Sequence, residues 1–553
     1  MVERIKTVLQ TQIKGLHQAA YILGIFAIMS QVFALLRDRL LASTFGAGTQ
    51  LDMYYAAFRL PDMLYVLLAA FFSVSILVPK VVEKENNKKE LQRYFDSIFT
   101  FVAILFLILG ALSWILAPLF LKLVVPNLFS PELLLMTRIL ILQPIILSMS
   151  GFFASFAQAQ KKFLLYSISP ILYNVGIILG IIFLYPLYGM YGLVIGVVVG
   201  ALLHVGILAP FMRSVYMPKF ARIYFSDIKN LILHSIPRTF AMMSNQLLLV
   251  CITFFASMLS AGSIAIFNLA YNLQSVPLSI IGVSYSLAAF PSLALFFQEK
   301  RFDEFYELLS RAMRHVFFWS LPIVAFFIVL RAQIVRVILG SGNFDWNETI
   351  LVAASLALFT ISLVAQSASQ VLIRAFYATG RTVYPFLATA ISFCITIICM
   401  SVLFIPNLIS TDTVRYFEVL FRVDLVESSL VLLLPLAFTI GQWILFFGLI
   451  LGIGQIQKIF SKQFFKSIFE SMLGAGVIAI VSYLGLQFLS GVFDLNTFVG
   501  IASQGIISGI AGMLAGFIFL VVIGNKEIST VLSVGLNKFR TKPEVLPEVK
   551  EEL

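Results

Sequence analysis

The sequence predicts an all-α polytopic membrane protein with about fourteen transmembrane helices. Three observations carry that reading. Sixty per cent of the 553 residues are hydrophobic and only 12% are charged, about half the charged share of an ordinary soluble domain. Apolar runs of about 20 residues recur along the whole chain, the length that crosses a bilayer as a helix. A membrane β-barrel would instead show segments of about 10 residues with alternating polarity. The third observation is the distribution of Lys and Arg. With the N-terminus placed in the cytoplasm, the cytoplasmic segments and their adjoining helix ends hold 28 of the 38 basic residues and the outer ones hold 7, while Arg59, Arg138 and Arg238 are assigned to spans. This is the positive-inside asymmetry, and it predicts that both termini are cytoplasmic. The net charge of +11 then follows from topology and anionic headgroups. No nucleic-acid partner is called for.

The elements follow in order. Residues 1–15 read as a short amphipathic lead-in carrying Arg4, Lys6 and Lys14. The first span, about 16–36, has no small-residue cleavage site after it and reads as a retained helix, not a removed signal. The second, about 51–79, opens in a block of charge and glycine. Spans at about 97–121, 132–157, 165–186 and 190–212 complete a first six-helix bundle over 16–215. A basic stretch with Lys219, Arg222 and Lys229 leads to spans at about 231–258, 263–297, 309–338, 349–373, 383–405 and 429–452, a second bundle over 229–452. Two further spans, about 468–490 and 498–523, fill 466–523, and 525–553 is a charged cytoplasmic tail. The outer loop at about 406–428, with Arg415, Glu418, Arg422, Asp424 and Glu427, reads as a solvated segment. Cys251, Cys394 and Cys399 all lie in apolar runs and read as small apolar filler, with no disulfide or metal spacing.

A weak internal repeat supports the pairing of bundles. Ala47-Gly48-Thr49, Tyr54 and Ala57-Phe58-Arg59-Leu60 recur about 213 residues later as Ala261-Gly262-Ser263, Phe267 and Ala270-Tyr271-Asn272-Leu273. The shift is six helices. An even shift keeps orientation, so this is a parallel repeat about an axis along the membrane normal.

No enzyme site is legible. The chain has no Walker loop, no arguable Ser/His/Asp or Cys/His set, and four scattered histidines (His17, His204, His234, His315) without metal-ligand spacing. No cofactor is expected. What stands out is polar residues at helical spacing inside apolar spans. Asp52, Tyr55, Arg59 and Asp62 fall on one helix face at steps of three and four, where Arg59 and Asp62 are spaced to pair. Gln31, Ala34 and Arg37 line up in the first span. His234, Arg238 and Asn245 share a face near Pro237; Asn268 and Asn272 precede Pro277; Gln366, Gln370 and Arg374 follow in the tenth span. For Asn and Gln the simple reading is interhelical hydrogen bonding. For Arg37, Asp52, Arg59 and Arg238 a hydrated cavity is favoured, because charge costs more to bury. Arg374 reads as a positive-inside residue at a helix end. Pro61, Pro144, Pro170, Pro237, Pro277 and Pro322 lie within spans and permit kinks.

At these residues the chain resembles a known family. Arg37-Asp38, Ala42, Phe45-Gly46-Ala47-Gly48, Asp52, Ala57-Phe58, Leu60-Pro61 and Val78-Pro79 are similar to the first two helices of the MurJ (MviN) lipid II flippases, members of the multidrug/oligosaccharidyl-lipid/polysaccharide exporter superfamily. Pro277, Gly282-Val283 and Pro291-Ser292-Leu293 agree, as do Arg374-Ala375-Phe376-Tyr377-Ala378, Thr382 and Pro385. Gly342 and Phe344-Asp345 resemble the short loop before the family's tenth helix. The resemblance implies two six-helix bundles facing each other in a V, with helices 13 and 14 forming a groove for a polyprenyl tail. It implies movement of undecaprenyl-diphosphate-linked disaccharide-pentapeptide from the inner to the outer leaflet of the bacterial cell membrane by alternating access, driven by membrane potential or a coupling ion. The partners would be lipid II, or a related polyprenyl-diphosphate glycan, and membrane lipids. The substrate cavity would be lined by Gln31, Arg37, Asp38, Asp52, Arg59, Asp62, Arg238 and Asn272.

The chain also departs from the family pattern. The arginine expected six residues before Arg37-Asp38 is Gln31, the arginine expected in helix 8 is Asn272, and the stretch after Pro61 reads Asp62-Met63-Leu64-Tyr65 with no arginine. Ala69-Ala70-Phe71-Phe72 replaces an Ala-Glu-Gly-Ala stretch. Arg59 and Arg238 are the cations that compensate if they face the same cavity. Three alternatives therefore stay open: a flippase for another polyprenyl-linked glycan, a cation-coupled exporter of the same superfamily built around Asp52 and Asp62, and a non-transporting cell-wall scaffold.

Overall fold

The computed structural model describes residues 16–69, 88–160, 162–215, 217–403, 405, 415, 418–421, 423, 429–453, 456–495 and 497–529. The expected lead-in 1–15, the end of the second span with Ala70-Phe71-Phe72 and Val78-Pro79, most of the loop 406–428 and the tail from 530 lie outside the described residues.

All regular structure among the described residues is helical. In chain order the principal helices are α1 (Leu16–Phe45), α2 (Thr49–Ala57), α3 (Arg59–Ala69), α4 (Lys88–Val124), α5 (Pro131–Leu140), α6 (Leu142–Ala159), α7 (Phe163–Leu179), α8 (Met190–Gly206) and α9 (Phe225–Ser257). They continue with α10 (Ser263–Leu278), α11 (Ser284–Gln298), α12 (Phe302–Ile338), α13 (Trp346–Ala378), α14 (Val383–Leu403), α15 (Leu433–Leu451), α16 (Lys462–Leu489) and α17 (Phe498–Val522). Eleven continuous helical stretches among the described residues are long and apolar enough to cross a membrane, each coinciding with one of the expected spans. The other three expected spans fall on α1, on α2 with α3, and on α9, whose Met243–Ser257 part is a shorter apolar helix.

Prolines set several boundaries. Pro61 has no amide to give the carbonyl of Ala57, and the second span breaks at Phe58 into α2 and α3. Pro144 likewise follows the break at Ile141 between α5 and α6. Two wide turns interrupt otherwise continuous helices, at Gly180–Leu184 after α7 and at Ser279–Val283 just past Pro277; such π turns loosen the backbone ladder locally.

The chain divides into two compact units. The first comprises the described residues within Met1–Leu273, Ile338–Ser355 and Phe386–Gly441. An aromatic knot forms part of its core: Phe95 packs edge-on against Phe156 at 4.6 Å and Phe152 at 5.9 Å, with Leu64, Leu68, Ile98, Leu165 and Phe211 around them. Beside it α7 and α8 meet through glycine. Gly176 and Gly180 lie four apart, as do Gly192, Gly196 and Gly200. A Cβ on Gly176 would collide with Gly200, and one on Gly196 with Gly180. The two backbones touch directly, the close approach that small residues allow in membrane helices, where packing replaces the hydrophobic effect as the driving force.

The second unit comprises the described residues within Gln274–Val337, Leu356–Pro385 and Gln442–Leu553. There α16 and α17 pack along Gly474, Ile478, Ser482, Ser508, Gly512 and Gly516. Their outer faces carry exposed apolar rows, with Phe465, Phe469 and Met472 on α16 and Ile506, Ile510, Leu514 and Ile518 on α17. At the end of this pair Glu527 is buried and accepts from Arg314 Nε at 2.9 Å and Ser467 Oγ at 2.9 Å. Asn525 Oδ1 caps the turn by accepting from the amides of Glu527 and Ile528. These contacts fasten α12, α16 and the segment after α17 to one another.

Replacing Gly196 by Val forces a branched side chain into the Gly180 backbone. The expected loss is about 3 kcal/mol or more, at the upper end of overpacking costs. It is read as a fall in the midpoint of heat-induced loss of the monodisperse peak in detergent. Leu202→Ala, on the exposed side of the same helix, is expected to leave that midpoint nearly unchanged.

Candidate functional site

The polar residues of the first unit form two groups on one face of α10 and a third at its start. α1 ends at Phe45, and Gly46 takes a left-handed φ of +60° while its amide reaches back to the Ala42 carbonyl at 2.8 Å. The short turn Gly46-Ala47-Gly48 then starts α2. Asp52, in the first turn of α2, is buried. Its carboxylate accepts from the backbone amides of Gly262 at 2.6 Å and Ala265 at 2.7 Å. Asp52 thus caps the N-terminus of α10 from another helix, placing negative charge on the positive end of that helix dipole. Gly262, at φ +90°, fits there because any Cβ would strike the Ala47 carbonyl.

The second group is centred on Arg37. Its Nε and one terminal nitrogen donate to Asp38 Oδ1 at 2.9 and 2.7 Å, and its other terminal nitrogen donates to Asn174 Oδ1 at 3.0 Å. Asp38 is buried, and its second oxygen accepts from Asn272 Nδ2 at 3.1 Å. The chain Asn174–Arg37–Asp38–Asn272 ties α7, α1 and α10 together. Arg37 keeps 20% of its side-chain surface exposed and Asp38 only 4%.

The third group is centred on Arg59, which is 5% exposed. Its Nε donates to Thr253 Oγ1 and a terminal nitrogen to Asn268 Oδ1, both at 2.7 Å. These partners are neutral. The i,i+3 pairing expected with Asp62 is not how this guanidinium is held; Asp62 lies one turn further along, half-buried.

The two asparagines are oriented in the same way. Asn174 Nδ2 donates to the Pro170 carbonyl four residues back, and Asn268 Nδ2 donates to that of Ile264, also four back. With the NH2 tied to its own helix, each amide presents its oxygen to an arginine. Thr253 is set similarly, its hydroxyl donating to Leu249 while accepting from Arg59.

The structure therefore brings Arg37, Asp38 and Asn272 into one network. It puts Arg59 on the neighbouring turn of α10 through Asn268, and Asp52 at that helix's start. Gln31 is half-buried on α1, nearly two turns before Arg37. Arg238 belongs to α9 by backbone, and its side chain, like that of His234, is outside the described ones. Arg138 is settled elsewhere, its guanidinium 5.1 Å from the centre of the Trp114 ring. Arg374 donates to Ser286 Oγ at 3.1 Å in the second unit. The sequence reading missed Asn174 and Thr253. Asn174 has one legible signal, an amide four residues after a proline in an apolar helix; Thr253 has none. No group of three or more metal-ligating side chains lies together among the described residues.

Asp52→Ala would leave two buried amides without an acceptor, at about 1–3 kcal/mol each. Asp52→Asn keeps one acceptor oxygen and is expected to cost less. Thermal midpoints of the two variants in detergent should fall in that order, with Asp52→Ala lowest.

The family described as "Lipid II flippase MurJ" matches residues 41–503. The chain is 25% identical over 489 residues to the probable lipid II flippase MurJ of Buchnera aphidicola subsp. Acyrthosiphon pisum, covering 86% of this chain and 91% of that protein. It is 26% identical over 368 residues to the lipid II flippase MurJ of Burkholderia cenocepacia, covering 64% and 71% of the two. Among solved structures, a lipid II flippase MurJ in an inward closed conformation superposes with a TM-score of 0.71 at 20% identity, over 94% of this chain and 100% of that one. An inward-facing multidrug resistance MATE family transporter of the MOP superfamily gives 0.61 at 16% identity, over 78% and 95%. With most of its length matched by the family, this chain belongs to the MurJ lipid II flippases.

Proposed function

We propose that this chain is a transporter, not an enzyme, and that it moves lipid II from the inner to the outer leaflet of the bacterial cell membrane by alternating access. Family membership supports the activity. The observation that supports a polyprenyl-diphosphate cargo is the state of the two arginines. Arg37 is already neutralised by Asp38, and three of its five N–H groups are engaged, which leaves two to donate. Arg59 is buried and hydrogen-bonded to neutral oxygens only, with the Asp62 carboxylate acting on it through space and not through a hydrogen bond. Hydrogen bonds to neutral acceptors solvate a cation without cancelling its charge, and a charge with no ion-pair partner in low dielectric is costly. A diphosphate brings negative charge within hydrogen-bond reach of Arg59 and accepts charge-assisted hydrogen bonds from both guanidinium forks.

In this reading the chain has fourteen transmembrane helices and both termini in the cytoplasm. Two six-helix bundles, 16–215 and 229–452, face each other in a V, with Gln31, Arg37, Asp38, Asp52, Arg59, Asp62, Arg238 and Asn272 serving the cavity. The tail of the substrate runs along the apolar rows of residues 466–523, so only the headgroup crosses through protein. Membrane potential or a coupling ion supplies the driving force.

Complementation of a MurJ-depleted bacterium, scored by lipid II exposed at the outer leaflet, tests this. The intact chain is expected to rescue. Arg37→Ala and Arg59→Ala are each expected to cut exposure at least about tenfold at unchanged expression, as loss of a charged hydrogen bond predicts. Arg59→Lys is expected to recover part of it, since lysine keeps the charge but not the planar fork. A well-inserted chain that fails to rescue points to another polyprenyl-linked glycan.

A further inference from the structure

The turn Gly46-Ala47-Gly48 is gripped from a second side, by the loop between α12 and α13. α1 ends there with unpaired carbonyls, as every helix does. Asn343 takes two of them: its backbone amide donates to Ser43 O at 2.9 Å and its Nδ2 to Thr44 O at 2.7 Å. Glu348 takes the next orphan amide, accepting from Ala47 N at 2.6 Å. Glu348 is itself set by a reciprocal cap, its other oxygen accepting from Asp345 N at 3.0 Å while Asp345 Oδ1 accepts from Glu348 N at 2.7 Å. Two left-handed glycines make the approach possible. A Cβ on Gly46 would meet Asn343 O and a Glu348 oxygen, both at 2.9 Å, and one on Gly342 would strike Ser43 O.

The chemistry of this contact differs from that of the helix packing around it. It consists of hydrogen bonds, and Gly342, Asn343, Asp345 and Trp346 are exposed while only Phe344 of the loop tip is buried. Water can replace such bonds one for one, at a net of about 1 kcal/mol for a neutral pair and more for a charged one. The grip therefore holds by default yet parts cheaply. The turn it holds is also the one whose Ala47 carbonyl sits against Gly262 at the start of α10.

We propose that the loop 339–348 is a releasable latch on the α1–α2 turn, closed by Glu348 and Asn343, and that its release frees the start of α10. The proposal rests on the alternating-access reading, in which one end of the transporter must open while the other is shut.

The test uses the full chain in nanodiscs, with Cys251, Cys394 and Cys399 replaced by Ser. Ser263→Cys is the reporter: Ser263 is fully buried at the start of α10, and the exchange is nearly isosteric. The rate of thiol labelling by a maleimide reads opening. Glu348→Ala is expected to raise it at least about tenfold, the equivalent of one charged hydrogen bond. Asn343→Ala is expected to raise it severalfold and remains decisive if Glu348→Ala fails to fold. Asp345→Ala breaks the reciprocal cap but spares the Ala47 bond, and should leave the rate near that of the parent. Unchanged labelling in well-folded Glu348→Ala and Asn343→Ala overturns the latch, and so does an equal rise in Asp345→Ala, which would mean fraying of α13. The lipid II assay is scored separately: labelling that responds in a chain that moves no lipid II sinks the flippase reading and keeps the latch.

Discussion

The first turns of α10 meet three of the four charged residues that are buried among the described ones, Asp38, Asp52 and Arg59. Its N-terminal amides take Asp52, its Asn268 takes Arg59, and its Asn272 takes Asp38, which in turn holds Arg37. In a bilayer no water is on hand to solvate an ion, so each charge must be met by a protein group at the right depth. Asn268 and Asn272 are four apart and share a face. That face sets where both guanidinium groups sit relative to each other.

The two arginines solve the burial problem differently. Arg37 has its counter-charge beside it in sequence, so its pair arrives as a neutral unit whatever else binds. Arg59 hydrogen-bonds to neutral groups only and meets the charge of Asp62 through space. In the proposed function, one arginine already paired with a carboxylate and one hydrogen-bonded only to neutral oxygens attract an anion while limiting the cost of standing empty. The same reading accommodates Asn272 where the resemblance to the family implies an arginine. A cation there would compete for Asp38, whereas the amide donates to Asp38 and leaves the Arg37–Asp38 pair intact.

Much of the helical layout was legible, because hydropathy reports the membrane directly and owes little to tertiary contact. The arginines were legible as unusual for the same reason. Their partners were not. Spacing put Asp52, Arg59 and Asp62 on one face and suggested an Arg59–Asp62 pair, but the break at Phe58 separates Asp52 from the other two, and what Asp52 and Arg59 reach is decided by α9 and α10, about two hundred residues away. The internal repeat was visible as similarity between two segments. That the segments also touch, with Asp52 bound to Ala265, the residue 213 positions on, is a property of the fold that no comparison of strings contains. The wide turns at Gly180–Leu184 and Ser279–Val283 had no sequence signal beyond a nearby glycine or proline.

The glycine seam between α7 and α8 bears on how motion spreads through the first unit. Backbone against backbone, the seam has no side-chain rotamers at Gly176, Gly180, Gly196 and Gly200 to freeze on assembly or release on separation, so its formation carries little entropic penalty. It also offers no second set of rotamers in which the same two helices could settle at another angle. A contact with one available geometry behaves as a weld. Asn174, which steadies Arg37, sits two residues before this weld, so the pair α7–α8 holds that oxygen as one stiff unit.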